Sequence, residues 1–287
     1  MNPEIDLPAI GRQIAGLIRG HLEHRLRHYG PGETMADPDN LKSTHIIDDY
    51  AADVAADVLR GYRCNIFTEG RADRFDPYAP VSFYIDPVDG STNWERCVGD
   101  PAFVIACSAQ PRVRSVGDLE EAYVEGLASG DRYWACHGEA IYQCARTGQI
   151  GRLGPAPPVS LSHATGYLRF GYGGARQQLA HSVPLMFACR DIRAFDNAGT
   201  ELCHVARGAA HFILESRGFS DGFNLLAYPV LRTTGGVLLD LEGNSLECRR
   251  WDPTEHYDYI AASSPALADE VVSLVDEART NPTYRID

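Results

Sequence analysis

The chain has 287 residues, of which 44% are hydrophobic and 23% are charged, as in a typical soluble globular protein. A chain of this length can bury a large core, so the composition excludes a disordered chain, a disulfide-stapled miniprotein and a fibrous repeat. With 39 acidic against 26 basic residues, the net charge of −13 argues against a nucleic-acid partner, because nucleic-acid phosphates require clustered cations.

Membrane and secretory signals are not found in the sequence. No apolar run reaches the roughly 18–20 residues that a membrane span needs, and residues 1–6 lack the basic and apolar regions of a secretory signal. We therefore expect no membrane partner and a cytoplasmic location. The eight cysteines show no CxxC spacing and are predicted to be free thiols in a reducing compartment.

The first half of the chain combines helical periodicity with short apolar runs. In chain order, the pattern predicts a helix over residues 5–28, a Gly-, Pro- and Asp-rich loop over 30–42, a helix over 47–59, and strands over 64–67, 82–85, 103–109, 122–128 and 132–136. The next segment, 151–160, contains three prolines and two glycines, which suit neither a helix nor an inner strand. It is predicted to be a linker between residues 1–150 and residues 151–287.

The second half alternates between strands and helices. The predicted elements are strands over 166–170, 192–195, 210–214, 237–240 and 259–262, and helices over 176–185, 200–207, 225–233 and 265–278. Because no strict βαβ rhythm is present, the order favours layered sheets and helices over a TIM barrel.

The most informative segment is Asp-Pro-Val-Asp-Gly-Ser-Thr-Asn at 86–93, which directly follows an apolar strand. Pro87 ends the regular pairing and Gly90 allows a tight turn, so Asp86 and Asp89 are expected at the carboxyl end of that strand. Backbone N–H groups after Gly90 would open a helix and could bind an anion. Carboxylates beside an anion require a cation, and oxygen ligands favour Mg²⁺. A surface turn of the same composition is the alternative reading.

This segment resembles the signature of the inositol monophosphatase superfamily, the Mg²⁺-dependent phosphatases that include inositol monophosphatases, fructose-1,6-bisphosphatases, 3′-phosphoadenosine-5′-phosphate phosphatases and histidinol phosphatases. The order of predicted elements also fits, so that the resemblance covers roughly residues 8–275. It implies an α+β fold, a layered αβαβα sandwich. Residues 1–150 would form an α+β half that carries the metal motif, and residues 151–287 an α/β half that completes the substrate pocket. A homodimer and two or three Mg²⁺ ions are also implied.

The resemblance assigns metal and catalytic roles one residue at a time. Phe-Thr-Glu-Gly at 67–70 resembles the family's Gly-Glu-Glu segment, so Glu69 inherits a metal-bridging and catalytic role, although Gly70 replaces the second acid. Asp86, Asp89 and the Val88 carbonyl would complete the metal cluster. Thr-His-Ile-Ile-Asp at 44–48 resembles a further motif, which makes Asp48, together with Ser91, the group that activates the attacking water.

Substrate contacts are implied in the same way. They are the backbone amides of Gly90, Ser91 and Thr92, the Gly-Thr pair Gly199 and Thr200, and the acid Glu215, with Arg217 as the alternative to Glu215.

One position departs from the family pattern. Where the family has the last acidic metal ligand, the best register places Asn224, an uncharged ligand that weakens a site for a hard cation. Asp221 is the nearest acid but lies about one helical turn too early.

These assignments predict a Mg²⁺-dependent phosphomonoesterase, a hydrolase that attacks a small phosphorylated metabolite, such as an inositol or sugar phosphate, with an activated water. The same fold also allows a phosphatase for 3′-phosphoadenosine 5′-phosphate or another nucleotide, or for a sugar or nucleoside phosphate from a biosynthetic pathway. A non-enzymatic alternative, motivated by Gly70 and Asn224, is a degenerate member that binds a phosphorylated ligand without hydrolysing it.

Overall fold

The computed structural model describes residues 5–29, 46–170 and 175–281. Seven strands of the first sheet lie side by side in chain order, with β1 parallel to β2 and every later pair antiparallel. They are β1 (Asn65–Thr68), β2 (Ser82–Asp89), β3 (Ala102–Ser108), β4 (Glu121–Gly126), β5 (Arg132–Cys136), β6 (Glu139–Gln143) and β7 (Ile150–Leu153).

The second sheet has five strands in the order β11-β12-β10-β8-β9. Strand β8 is parallel to both of its neighbours, whereas β12 is antiparallel to β10 and β11. The strands are β8 (Thr165–Leu168), β9 (Asp191–Arg193), β10 (Phe212–Glu215), β11 (Val237–Leu239) and β12 (Tyr259–Ala262).

The helices form three layers around these two sheets. Helices α1 (Leu7–Tyr29) and α2 (Ile46–Leu59) cover the outer face of the first sheet, and α5 (Ala198–Arg207) and α6 (Tyr228–Thr233) lie between the sheets. Helices α4 (Ala175–Ala188) and α7 (Pro265–Thr280) pack on the outer side of the second sheet, while α3 (Ser91–Glu95) is a short helix after β2. The chain therefore has the α+β fold of five αβαβα layers.

Strand β3 shows how the sequence produces these layers. All seven of its residues are buried, and successive side chains point to opposite faces of the sheet. Phe103, Ile105 and Cys107 join the core under α1 and α2, whereas Ala102, Val104 and Ala106 join the core between the sheets. A nearly continuous apolar run thus indicates a strand covered by helices on both faces.

The sequence-based boundaries were wrong in three places. Strands β6 and β7 were not predicted, and β7 occupies the first residues of the predicted linker. Strand β7 is mostly exposed at the sheet edge, so it lacks the apolar run that marks an inner strand. The predicted helix over 225–233 is in fact a 3₁₀ turn at Gly222–Leu225 followed by α6. The predicted loop over 30–42 and the residues Thr44 and His45 lie outside the described residues.

Within the described part of the chain, no helix combines the length and apolar character that crossing a bilayer requires. The division into halves at residue 150 stays a prediction, since one core cluster contains residues from both sheets.

A buried ionic network lies within the second half. The Arg169 Nε donates to Glu201 Oε2 over 2.7 Å, and its Nη1 donates to Glu215 Oε2 over 3.4 Å. Glu215 also accepts from Arg217 Nε at 2.9 Å, and Arg217 Nη2 donates to Asp196 Oδ1 at 2.7 Å. Both arginine side chains are almost wholly buried, so each charge depends on its partners in the network.

We expect Glu201→Gln to lower the free energy of unfolding by about 3 kcal/mol, because it leaves the buried Arg169 charge undercompensated. Chemical denaturation measures this change. The matched control is Glu139→Gln, which breaks an exposed ion pair with Arg152 and should cost less than about 1 kcal/mol. Equal losses in the two variants would contradict the stabilising role of the buried network.

Candidate active site

A cavity of about 1370 Å³ opens where the end of β2 meets elements of both sheets. Its wall includes five carboxylates from four separate segments of the chain. They are Asp48 of α2, Glu69 after β1, Asp86 and Asp89 of β2, and Asp221 before the 3₁₀ turn. Val88, whose backbone carbonyl is a candidate ligand, lines the same cavity, as do the turn residues Gly90, Ser91 and Thr92.

The local sequence at the end of β2 directs these groups into the cavity. Between Asp86 and Asp89 the pairing with β3 shifts by one residue, which forms a bulge at Pro87-Val88. Gly90 follows with a φ of 83°, and a Cβ atom there would lie 2.0 Å from Asn197 Oδ1. Glycine is therefore required at this turn both for its conformation and for the available space.

Asp86 is a buried carboxylate on which the charges of the other carboxylates of the cavity act. It is only 3% exposed, and burial raises its pKa well above the ordinary aspartate value, with further increases from the charges of Glu69, Asp89, Asp48 and Asp221. All four of these neighbouring charges are carboxylates. A divalent cation in this part of the cavity would therefore relieve a repulsion that the fold itself imposes.

Asp89 connects β2 to the first turn of α5. Its Oδ1 accepts from the Ala198 N–H at 3.0 Å and its Oδ2 from the Gly199 N–H at 2.7 Å. Burial raises the pKa of Asp89 from 3.8 to about 7, although the Gly199 amide and Arg169 favour the ionised form. The carboxylate is thus oriented by the amino-terminal end of a helix.

The donor set fits Mg²⁺ in its chemistry, since carboxylate and carbonyl oxygens are the ligands that this cation binds. Among residues 5–29, 46–170 and 175–281, however, no three acidic, histidine or cysteine side chains already stand as the ligands of one ion. Glu69, Asp86 and Asp89 share the cavity, and the charges of Glu69 and Asp89 add to the effect of burial on the pKa of Asp86.

The structure gives Asn224 a local role. Its Oδ1 accepts from the Asp221 N–H at 3.0 Å, while Asp221 Oδ1 accepts from the Phe223 N–H at 2.9 Å. The two side chains thereby cap the 3₁₀ turn reciprocally. Both residues line the cavity, but Asp221 is the one whose charge acts on Asp86.

Three of the substrate residues taken from the resemblance lie outside the cavity wall. The Gly199 N–H is bound to Asp89, and the Thr200 hydroxyl donates to the Asp100 carbonyl at 3.3 Å. Glu215 is fully buried and holds Arg169 and Arg217. Arg217, the alternative contact, does line the cavity.

Asp48 and Asp49 have different surroundings, although they are adjacent in α2. Asp48 lines the cavity, whereas Asp49 Oδ1 lies 3.1 Å from Arg71 Nη2 in an exposed ion pair. The sequence assignment of the water-activating role to Asp48 is therefore compatible with its position.

Apart from Arg217, sequence reasoning missed the arginines of the cavity wall. Arg112, Arg114 and Arg250 lie there together with Arg71. A signal was present in Pro-Arg-Val-Arg at 111–114, which places two cations in the segment between the buried strand β3 and β4.

The chain resembles known proteins in both sequence and structure. No protein-family model matches it. A fructose-1,6-bisphosphatase/inositol-1-monophosphatase from Archaeoglobus fulgidus is 26% identical over 276 residues, which cover 91% of this chain and 94% of that protein.

Solved structures show the same fold. The extragenic suppressor protein suhB from Bartonella henselae has a TM-score of 0.79 at 15% identity, with 95% of this chain and 99% of that chain covered. An IMPase from Thermotoga maritima has a TM-score of 0.74 at 18% identity, with 95% of this chain and 96% of that chain covered. The chain has the fold of these structures and is similar over nearly its whole length to a fructose-1,6-bisphosphatase/inositol-1-monophosphatase. These comparisons support the inositol monophosphatase superfamily, whose signature the segment at 86–93 resembles.

The raised pKa values predict how the metal-free protein responds to pH. A carboxyl whose pKa rises from 3.8 to about 7 on folding keeps its proton longer in the folded state, so stability falls as pH rises from about 4 to about 7. We expect Mg²⁺ at pH 8 to restore this stability, by about 2.7 kcal/mol at 100 times its Kd. Thermal unfolding with and without Mg²⁺ measures both effects.

Asp86→Asn is the matched variant for this measurement. It removes one of the repelling charges, so the metal-free variant should be more stable than the parent at pH 8 while gaining less from Mg²⁺. A parent protein whose melting temperature does not respond to Mg²⁺ would contradict the cation site.

Proposed function

We propose that this protein is a Mg²⁺-dependent phosphomonoesterase that acts on a small phosphorylated metabolite. The observation that carries the proposal is the gathering of Asp48, Glu69, Asp86, Asp89 and Asp221 in one cavity that also contains the Gly90–Thr92 turn, where burial and then the four neighbouring carboxylates raise the pKa of Asp86. Similarity to a fructose-1,6-bisphosphatase/inositol-1-monophosphatase over 91% of this chain supports the same conclusion.

Glu69, Asp86, Asp89 and the Val88 carbonyl would hold the Mg²⁺ ions, and we assign the further acidic ligand to Asp221 rather than to Asn224. The reason is that Asp221 carries a charge that acts on Asp86, whereas the Asn224 amide oxygen is neutral. When bound, Mg²⁺ lowers the pKa of a water molecule and stabilises negative charge on the leaving oxygen.

The residues of the chain supply the remaining steps. Asp48 and Ser91 orient the attacking water, and the Asp48 carboxylate accepts its proton. The backbone N–H groups of Gly90, Ser91 and Thr92 hold the phosphoryl oxygens. The water oxygen forms a bond to phosphorus as the bond to the ester oxygen breaks, and the leaving alkoxide takes up a proton to give an alcohol and inorganic phosphate.

The position of Asp221 also bears on the non-enzymatic alternative. That alternative was motivated by the loss of an acidic ligand at Asn224, but the cavity retains an acid in the same segment. The carboxylates therefore favour a catalytic protein over a module that only binds a phosphorylated ligand. A homodimer and a cytoplasmic location are part of the same proposal.

Phosphate release provides the test, with inositol 1-phosphate, fructose 1,6-bisphosphate, histidinol phosphate and 3′-phosphoadenosine 5′-phosphate as substrates. We expect Mg²⁺-dependent release from at least one of them. Asp86→Asn should lower kcat/KM at least about 1000-fold, because it removes a central cation ligand.

A second pair of variants separates the two possible ligands. Asp221→Asn should raise the Mg²⁺ concentration for half-maximal rate about tenfold, whereas Asn224→Asp retains the hydrogen-bond acceptor of the turn and should change it little. If Asn224→Asp lowers the Mg²⁺ concentration for half-maximal rate and Asp221→Asn leaves it unchanged, residue 224 rather than Asp221 is the ligand. Absence of phosphate release from all four compounds at millimolar Mg²⁺ would favour the binding module.

A further inference from the structure

One segment of the second half of the chain, residues 195–199, is bonded to the residues on both sides of the turn Gly90–Thr92. Before the turn, the two carboxylate oxygens of Asp89 accept from backbone N–H groups of the segment at 3.0 and 2.7 Å. After the turn, Asn93 Nδ2 donates to Asn197 Oδ1 at 2.6 Å. The turn is therefore anchored at each end to the same part of the fold.

Asn197 lies at the centre of these contacts. Its side chain is buried against the turn, since the residue is 1% exposed and a Cβ atom at Gly90 would lie 2.0 Å from its Oδ1. Asn93 Nδ2 also donates to the Phe195 carbonyl. Asn197 Nδ2 has no hydrogen-bond partner in the part of the chain that the structure describes. The Oδ1 atom is therefore the one through which the Asn197 side chain acts.

The backbone of the segment is held by the buried ionic network of the second half. Asp196 has a φ of 59°, in the left-handed region, which costs free energy for a residue with a side chain. Arg217 Nη2 donates to Asp196 Oδ1 at 2.7 Å, and Arg217 Nη1 donates to Asp196 Oδ2 at 3.1 Å. The Asp196 N–H donates to Glu201 Oε1 at 2.9 Å. These bonds fix the backbone directly before Asn197.

The direction of the N–H groups of the turn depends on these anchors. Gly90 has a φ of 83°, and a glycine can leave such a conformation easily because it has no Cβ atom. Hydrogen bonds weaken steeply when the donor turns away from its acceptor. Anchors at both ends of the turn therefore keep its N–H groups aimed in one direction before a ligand binds.

We propose that Asn197 is a positioning residue for the turn that holds the phosphoryl group, and that it acts through Asn93. The inference rests on the proposed function, in which the N–H groups of Gly90–Thr92 hold the phosphoryl oxygens. It also gives the buried ionic network a role in the reaction, because the network sets the position of the segment that anchors the turn.

Steady-state kinetics of Asn93→Ala and Asn197→Ala test the proposal. The substrate is whichever of the four compounds named above the parent protein hydrolyses with the highest kcat/KM. Each variant should raise KM about tenfold, as expected for the loss of one or two hydrogen bonds. The turn binds the phosphoryl oxygens both before and during the reaction, so kcat should stay within about twofold of the parent value.

The double variant shows whether the two residues act together. If Asn197 acts through Asn93, the double variant should have the same KM as Asn93→Ala alone. Independent effects would multiply to about 100-fold and would overturn the proposal. A lower kcat or melting temperature with an unchanged KM would also overturn it, since a residue that only stabilises the fold gives that result.

Two further measurements separate the turn from its surroundings. The Mg²⁺ concentration for half-maximal rate should equal that of the parent, and a rise would overturn the proposal by placing the effect at Asp89. Asn244→Ala is the matched control, because Asn244 Nδ2 donates to Asp240 Oδ2 at 3.0 Å in an exposed turn away from the cavity. It should leave KM and kcat unchanged. An equal rise of KM in this control would overturn the proposal.

The failure of the proposed function would look different. In that case neither the four substrates nor p-nitrophenyl phosphate would release phosphate with Mg²⁺. Calorimetric titration with inorganic phosphate in the presence of Mg²⁺ would then decide the role of Asn197 by affinity. A Kd raised about tenfold in both Asn93→Ala and Asn197→Ala supports the role. An unchanged Kd, or a parent protein that binds no phosphate, overturns it.

Discussion

Repulsion among buried carboxylates is the constraint around which this structure is arranged. Placing Asp86 in a site with 3% exposure next to four like charges opposes its ionisation through both desolvation and Coulomb repulsion. A fold retains such a group only if the surrounding framework is rigid. Strand β2 is buried along its whole length and pairs with neighbours on both edges, so its backbone hydrogen bonds oppose a displacement that would separate the charges.

Asp89 shows how this constraint also couples the two sheets. It belongs to the first sheet, but both of its oxygens accept from amides at the start of α5, which packs against strands of both sheets. Gly199 permits this approach, since a Cβ atom there would lie 2.6 Å from Val104 Cγ2. The position of α5 is therefore tied to the acidic end of β2, and a change at either side alters the other.

The layered fold and the acidic segment at the end of β2 could be predicted from the sequence because both depend on local rules. Buried strands such as β3 appear as apolar runs, and proline and glycine mark the bulge and the turn after Asp86. Long apolar periodicity predicted α1, α2 and α7 close to their observed bounds. Strand β7 was missed because an exposed edge strand carries no comparable pattern.

Spacing along the sequence was not enough to identify Asp221 as the acidic ligand proposed beside Glu69, Asp86 and Asp89. The register with the family pattern favoured Asn224, next to the helix predicted over 225–233. The chain instead forms a 3₁₀ turn capped by Asp221 and Asn224 before α6 begins. A 3₁₀ turn has three residues per turn rather than 3.6, so the direction of each side chain differs from the helical expectation.

Glu215 illustrates a different limit of reasoning from resemblance. A residue's chemistry depends on its partners as much as on its position, and here Arg169 and Arg217 both bind the buried Glu215 carboxylate. These partners favour the ionised form of Glu215 and lower its pKa despite burial, while occupying its acceptor sites. An acid enclosed in this way cannot accept hydrogen bonds from a substrate hydroxyl. Arg169 and Arg217 line the cavity while Glu215 does not, and guanidinium groups favour anionic rather than hydroxyl-bearing portions of a ligand.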